Sequence, residues 1–278
     1  MRNREDLTAL GEGRQAEVYL RPDGNVLKLI RDPQNGWQVE REVIALTAVR
    51  ANGPFAPAVI GTVTLDGRPG LIMERVPGSS LLATLSSRPW LARRVGRSMA
   101  TLQLRIHDQP APETLPDLHT QLRQRIESAA SLPKHLAAFA LSVLDGLPSG
   151  DRLCHGDFHV DNLIGTVRSP MAIDWTDASR GTPIADVART VLLLRSGGLP
   201  PGASAALRVF VPVVRGVVVR RYLAVYRQGC PIDEDLLRRW LIVRVAARFV
   251  ESIDLEYDWL VAHLTAAYQD SGEGATPA

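Results

Sequence analysis

The eight residues from His155 to Asn162, HGDFHVDN, hold two histidines, two aspartates and an asparagine, and MAIDWTD follows from Met171. Side chains of these types suit two kinds of chemistry. A dinuclear phosphoesterase uses G-D-x-H, which GDFH (156–159) supplies. Such a site also needs G-D-x-x-D and G-N-H segments, which the chain lacks, and six histidines in the whole chain leave few ligands. Phosphoryl transfer from a nucleotide asks for less: neutralised phosphate charge, a carboxylate at the attacking hydroxyl and hard oxygen ligands for Mg²⁺. Asp157 is the candidate base. Asn162, five residues on, offers the metal a neutral oxygen, and Asp174, twelve residues later, an anionic one. The stretch between them reads as two short strands, which would bring Asn162 and Asp174 back to one place.

A phosphate site also needs cations and a close backbone. The chain has 32 Lys plus Arg, of which only Lys28 and Lys134 are lysine. Where arginine is used nearly everywhere, a retained lysine points to a compact ammonium acting as a point charge on phosphate oxygens. Lys28 needs a carboxylate anchor, and Glu42, next to the apolar face of the following segment, is preferred over Glu40. GEGRQAEV, with Gly11, Gly13 and Val18, reads either as a hairpin turn or as a glycine loop that brings N–H groups to an anion. A strand rather than a helix follows, so the dinucleotide fingerprint does not apply.

The elements that must hold these residues are legible from periodicity. EVYLRP and NVLKLI are short β runs around the turn PDGN, and AVIGTVTLDGRPGLIMERV gives two more around DGRPG. WQVEREVIALTAVR (37–50) has apolar residues at 39, 43, 46 and 49, the spacing of one helical face. After RVPGSS, amphipathic helical patterns run over 89–107, 117–130, 133–145, 203–227 and 233–268, interrupted only by 153–175. Two units are therefore expected, 1–75 and 76–278, with a ligand cleft between them.

Composition sets outer bounds. Hydrophobic residues are 45% and charged residues 22% of the 278, as in an ordinary globular protein. A net charge of +2 gives no global pull toward nucleic acid or an anionic membrane. Cys154 and Cys230 form no disulfide framework, and MRNREDLTAL has no signal-peptide core, so a cytoplasmic setting is expected. VFVPVVRGVVV (209–219) is too short for a membrane span and is expected to be buried, and the tail DSGEGATPA is expected to fray.

The spacing D-x-x-x-x-N then D is that of the protein-kinase catalytic loop and its metal-binding aspartate. HGDFHVDN followed by IDWTDASRGTPIADVAR resembles the aminoglycoside phosphotransferase family, small-molecule kinases related to choline and homoserine kinases. The family pattern H-G-D-x-x-x-x-N, I-D-[WF], D-[LV]-A is matched at His155, Gly156, Asp157, Asn162, Ile173, Asp174, Trp175 and Asp186. The resemblance extends over GEGRQAEVY, VLKLI, REVIAL and LIMERVPGSSL, about residues 8–190. It implies an α+β, protein-kinase-like fold with a small β-rich N-lobe and a larger, mainly helical C-lobe. It also implies that ATP or GTP lies between them, against a hinge at Met73, Glu74 and Val76, and that Lys28 meets its phosphates and pairs with the helix glutamate. Asp157 would act as base or position the acceptor hydroxyl, Asn162 and Asp174 would hold Mg²⁺, His155 would brace the loop and Asp186 would anchor it.

The chain departs from the pattern at Ala16, where protein kinases have a third glycine, and at Val160-Asp161 before Asn162. The acceptor is less legible. His159 either lines the acceptor side or is a hydrogen-bonded loop histidine. VESIDLEYDWL places Glu251 and Asp254 near Tyr257 and Trp259, which would suit a cationic amine or would equally be a helix end whose acids pair with Arg244 and Arg248. The expected function is transfer of the γ-phosphoryl group to a hydroxyl of an aminoglycoside-like molecule, amino alcohol, amino acid or sugar. The alternative is a catalytically silent nucleotide-binding regulatory protein, against which the intact set Lys28, Asp157, Asn162 and Asp174 weighs.

Overall fold

The computed structural model describes residues 7–51, 53–196 and 204–271. The alternating runs at the start of the chain become β1 (Thr8–Glu12), β2 (Ala16–Leu20), β3 (Val26–Ile30), β4 (Val59–Leu65) and β5 (Arg68–Met73). They form one antiparallel sheet in the order β1-β2-β3-β5-β4. The turns follow from their residues: Gly24 takes φ 82° in PDGN, and Asp66 and Gly67 (φ 52° and 73°) make the tight DG turn between β4 and β5. The register sets Lys28 opposite Val18 on one side and Leu71 on the other, so it sits in the middle strand of the sheet. α1 (Gly36–Ala51) packs Val39, Leu46 and Val49 inward as its spacing predicts, and carries Glu42 on the same buried face while Glu40 stays exposed.

The rest of the described chain is mainly helical. β6 (Ser79–Ser80), β8 (Leu163–Thr166) and β9 (Ser169–Ala172) form a small sheet, and β7 (Arg152–Cys154) pairs with β10 (Ser179–Gly181). Around them lie α2 (Leu81–Ser87), α3 (Ala92–His107), α4 (Leu118–Ser128), α5 (Lys134–Asp145), α6 (Pro183–Ser196), α7 (Ala205–Gly229), α8 (Glu234–Arg248) and α9 (Asp254–Asp270). Ser80, Asp117, Ser204 and Asp233 cap α2, α4, α7 and α8 through side-chain oxygens. Trp175, Trp240, Tyr222 and Phe158 are among the largest fully buried side chains. The fold is the expected α+β one, a small antiparallel N-lobe and a helical C-lobe.

Four expectations about elements change. The run from 89 begins as a 3₁₀ turn, Pro89–Leu91, and α3 starts only at Ala92, because Pro89 serves as a helix opener rather than as an interior residue. α2 and α6 carry no readable pattern; α6 is buried on nearly every side from Ala185 to Leu192, so it presents no polar stripe. The run 233–268 is two helices, separated at Ser252, which adopts a left-handed φ of 49°. VFVPVVRGVVV is helical but not uniformly buried: Val209 is 70% and Val213 57% exposed. α3 meets α7 from about Val218 onward, and the turns before it stand clear. The frayed-tail expectation concerns residues 272–278, outside the described ones.

At the α3–α7 crossing a Cβ on Gly96 would come within 2.5 Å of the Val218 carbonyl oxygen and 3.1 Å of the Tyr222 amide. Gly96→Ala is therefore expected to destabilise by about 1–3 kcal/mol, although alanine is the better helix former by about 1 kcal/mol. Gly216→Ala, in α7 with nothing within 4 Å of the added carbon, is expected to stabilise by about 0.5–1 kcal/mol. Urea unfolding of the two variants side by side checks the opposite signs; shifts of the same sign would mean the crossing has room.

Candidate active site

Three separate elements meet at Lys28. The β3 register turns its side chain toward α1, and its ammonium donates to Glu42 Oε2 (2.7 Å), Asp174 Oδ1 (2.8 Å) and Thr176 Oγ1 (3.0 Å). Glu42 is itself bound twice, its other oxygen accepting the Trp175 amide at 3.2 Å. Burial alone would pull the lysine down and push Glu42 up. The two carboxylates reverse the effect at Lys28, which ends well above its ordinary range. Glu42 stays raised, because burial and nearby Asp174 outweigh its lysine partner. Asp174 sits at φ 60°, unusual for a residue with a side chain, and this bend lets both its carboxylate and Thr176 face Lys28.

The HGDFHVDN loop starts from β7, and Asp186 near the start of α6 fixes its backbone. Asp186 is fully buried and accepts the amides of His155 (3.1 Å) and Gly156 (2.9 Å), Gln103 Nε2 (2.9 Å) and His107 Nε2 (3.0 Å). Burial opposes its charge, but these donors hold it far below the usual carboxylate range. Gly156 has φ 81°, and a Cβ there would run into the Asp177 carbonyl, so the position admits only glycine. His155 Nδ1 accepts the Asp157 amide (3.2 Å) and Nε2 donates to the Ile173 carbonyl (3.0 Å), a neutral imidazole whose pKa burial lowers. It ties the loop to the strand leading into Asp174.

Asp157 Oδ2 accepts Asn162 Nδ2 (3.0 Å) and His159 Nε2 (3.2 Å), while Oδ1 accepts Arg189 Nη2 (3.1 Å). Burial would raise this carboxyl, but the His159 hydrogen bond and the Arg189 guanidinium hold it far below its ordinary value. Asn162 Nδ2 also bonds the Asp157 carbonyl at 3.0 Å, which leaves Asn162 Oδ1 without a partner among the described residues. Asp174 keeps its second oxygen free in the same sense, on a side chain 46% exposed. One neutral and one anionic oxygen beside a nucleotide-sized cleft fit Mg²⁺, which takes few protein ligands and completes its shell with phosphate and water.

That cleft, about 520 Å³, is lined by Gly11, Gly13, Val18, Lys28, Glu42, Met73, Glu74, Val76, Asn162 and Asp174 together with the apolar Leu10, Val26, Ile164 and Ile173. Ten of the sequence candidates thus share one cavity. Of the two readings of the glycine segment, the hairpin turn is the one seen: β1 and β2 pair across it, neither glycine has a positive φ, and the Gly13 amide bonds the Ala16 carbonyl (2.8 Å). What they offer is an open wall, since a Cβ on Gly11 would meet nothing. The Glu74 amide and carboxylate both bind Ala58, so the side chain points away from the cleft.

The acidic segment near 250 is the main departure. Glu251 accepts Arg189 Nη2 (2.8 Å) and pairs with Arg248, so it is a neutralised carboxylate rather than a free one. Arg248 also bridges to Glu256, whereas Arg244 instead donates to the Ala185 carbonyl. Asp254 is exposed at the start of α9 and joins no group. Arg189, Thr176, Gln103 and His107 are site residues that sequence reading missed. Arg189 had a signal in its i+3 spacing from Asp186 on one helix; Gln103 and His107 lie about 80 residues away, with none.

With this geometry in place, comparison adds an identity. A family model described as the APH phosphotransferase enzyme family matches residues 6–230. The chain belongs to that family. It is a small-molecule phosphotransferase acting on an alcohol group, built as a kinase-like fold. Among solved structures, aminoglycoside phosphotransferase APH(4)-Ia in ternary complex with AMP-PNP and hygromycin B superposes with TM-score 0.67 at 15% identity, covering 97% of this chain and 95% of that one. Amicoumacin kinase in complex with AMP-PNP, Ca²⁺ and its substrate gives 0.67 at 14% identity over 96% and 89%. A choline/ethanolamine kinase family protein from Mesorhizobium loti gives 0.62 at 15% over 94% and 87%. No curated protein sequence matches. Among the described residues no helix is long and apolar enough to cross a membrane.

Because Asp186 has a folded pKa below its unfolded value of about 4, its charge contributes stability that is present above that pH and lost on acidification. Asp157 and Asp174, also lowered, add in the same direction. The unfolding midpoint should therefore fall steeply below about pH 4. Asp186→Ala, which strips four buried donors of their acceptor, should cost about 3 kcal/mol or more near neutral pH and flatten that acid slope. Thermal scans across pH on both proteins check it; an unchanged slope would remove Asp186 as the loop anchor.

Proposed function

We propose that the protein transfers the γ-phosphoryl group of ATP or GTP, with Mg²⁺, to a hydroxyl of a small molecule. The observation that carries this reading is the convergence of Lys28, Asn162 and Asp174 in a cleft with apolar walls, with Asp157 bonded to Asn162 beside it. Residues 1–75 would cover the nucleotide and 76–278 would hold the catalytic loop and the acceptor. Val18, Val26, Ile164 and Ile173 would sandwich the base, and the backbone at Met73, Glu74 and Val76 would meet its edge. Two free cysteines suit a reducing compartment such as the cytoplasm.

In this reading Lys28 exchanges part of its bond to Asp174 for phosphate oxygens while Glu42 keeps it in place. Asn162 and Asp174 hold the metal, which when bound neutralises charge on the phosphate oxygens. Asp157, ionised far below neutrality, accepts the hydrogen bond of the incoming hydroxyl and aims its oxygen at phosphorus. So weak a base does not need to remove the proton early, because phosphoryl transfer passes through a loose transition state with little demand on the nucleophile. Arg189 is a positioning residue: it fixes Oδ1 of Asp157 and leaves Oδ2 facing Asn162 and His159. The nucleotide and small-molecule complexes of the similar structures support a nucleotide donor and a polyfunctional alcohol acceptor. Since Glu251 is neutralised and Asp254 stands apart, recognition of a cationic acceptor would rest on the carboxylates of Asp157 and Asp161 rather than on the 250–260 segment.

Asp157→Asn is expected to lower turnover by about 10²–10⁴-fold with little change in nucleotide KM, and Asp174→Ala to abolish it. ADP release from Mg-ATP and Mg-GTP over aminoglycosides, macrolides, choline, ethanolamine, homoserine and simple sugars is the measurement. Near-normal turnover in folded Asp174→Ala would sink the metal assignment.

A further inference from the structure

A concavity larger than the nucleotide cleft lies elsewhere on the described structure. A trough of about 1110 Å³ lies between α3, the 53–55 loop and the β8–β9 turn. It shares no residue with the nucleotide cleft. α3 contributes Arg93, Arg94, Arg97 and Arg105 to its lining. Arg88 precedes them, Arg168 comes from the β8–β9 turn and Arg221 from α7, and no aspartate or glutamate is present. A second, smaller hollow continues it along α7 past Arg93 and Arg221 to Arg220.

Two features separate this from an ordinary arginine-rich surface. Outside the trough many arginines are matched: Arg21, Arg31, Arg68, Arg123, Arg125, Arg189, Arg227, Arg238 and Arg248 are among those that form ion pairs. None of the seven in the trough has a carboxylate partner among the described residues; Arg105 only lies over the Phe55 ring, 5.7 Å from its centroid. The seven are more than a fifth of the chain's 32 basic residues, gathered in one hollow of a protein whose net charge is only +2. The second feature is a cost that the helix carries. Arg93 and Arg97 are like charges one turn apart, and α3 has no acidic residue in its first turn, where the macrodipole favours anions. A bound anion would relieve both.

We propose that this trough binds a short linear chain of phosphate groups, as in inorganic polyphosphate or the polyphosphate arm of a nucleotide. Guanidinium forks suit phosphate oxygens in pairs, and crowding Arg88, Arg93, Arg94 and Arg97 around the start of one helix suits a ligand of equally dense charge. The shape is concave, unlike a face that lies flat on a bilayer. Trp90, 74% exposed at the rim, is the one open aromatic surface in the lining, since Arg105 covers Phe55, whereas single-stranded nucleic acid asks for successive stacking platforms. The proposal is independent of the reaction assigned above.

The test is binding of inorganic tripolyphosphate to the full chain at physiological ionic strength without divalent metal. Variants would be Arg94→Ala/Arg97→Ala/Arg105→Ala and, as a control of equal charge change, Arg123→Ala/Arg152→Ala/Arg238→Ala. Lys28→Ala separates the nucleotide cleft. The trough variant should weaken binding by at least about ten-fold, while the control and Lys28→Ala change it by less than about two-fold. Unfolding midpoints without ligand establish that each variant is folded. Equal loss in the control, loss only in Lys28→Ala, or no binding to the parent chain would overturn the proposal. So would tighter binding, phosphate for phosphate, of a single-stranded oligonucleotide or of phosphatidylserine vesicles, which would reassign the trough to that partner.

Discussion

Lys28 is buried, only 9% exposed, and an ammonium removed from water costs several kcal/mol unless its partners are well placed. Glu42, Asp174 and Thr176 are those partners, the first from α1 and the other two from the segment after β9. Satisfying one cation therefore requires the β2–β3 register, the rotation of α1 about its axis and the left-handed turn at Asp174 all to be right together. The bridge also spans both lobes, since β3 and α1 belong to one and Asp174 to the other. Two carboxylates against one ammonium leave the cluster negative. Such a cluster suits an additional cation, and the free oxygens of Asp174 and Asn162 are at its edge.

A second centre has the opposite character. Asp186 is charged, buried and saturated, its four N–H donors taking up the capacity that water would otherwise meet. It has nothing left to offer a substrate and serves to make the backbone of His155–Gly156 rigid. Asp157, two residues along, has the same ionisation state but keeps Oδ2 beside Asn162 and His159 at the mouth of the site. Two aspartates of equal charge thus differ in how completely their lone pairs are used, one as a buried anchor and the other as the proposed reactive group. α6 joins them, since Asp186 and Arg189 lie one turn apart and grip the loop from both ends.

Much of this was legible along the chain. The hairpins, the α1 face and the HGDFHVDN…IDW spacing are local: each depends on residues within a few positions of one another and on the geometry of one strand, helix or turn. The preference for Glu42 over Glu40 was local too, since one helical face separates them. α6 was not legible because a helix buried all round has no polar stripe, and the break at Ser252 was not, because a serine takes the left-handed turn there and no glycine or proline marks it. The glycine segment left two readings open, and only the pairing of β1 with β2 chose the hairpin turn.

By itself, then, the sequence singled out the candidate site residues and the elements that hold them, because residue type, spacing and scarcity, such as two lysines among 32 basic residues, are properties of the chain alone. Tertiary structure alone decided which charges are spent and which remain free. It pairs Glu251 with Arg189 and Arg248, leaves Asp254 in solvent, surrounds Asp186 with donors from α3, and gathers seven arginines with no acid among them. The physical reason is that a charge is neutralised by whatever lies within a few ångströms of it, and those neighbours come from segments as far apart as the 146 residues between Lys28 and Asp174, a distance over which sequence periodicity carries no information.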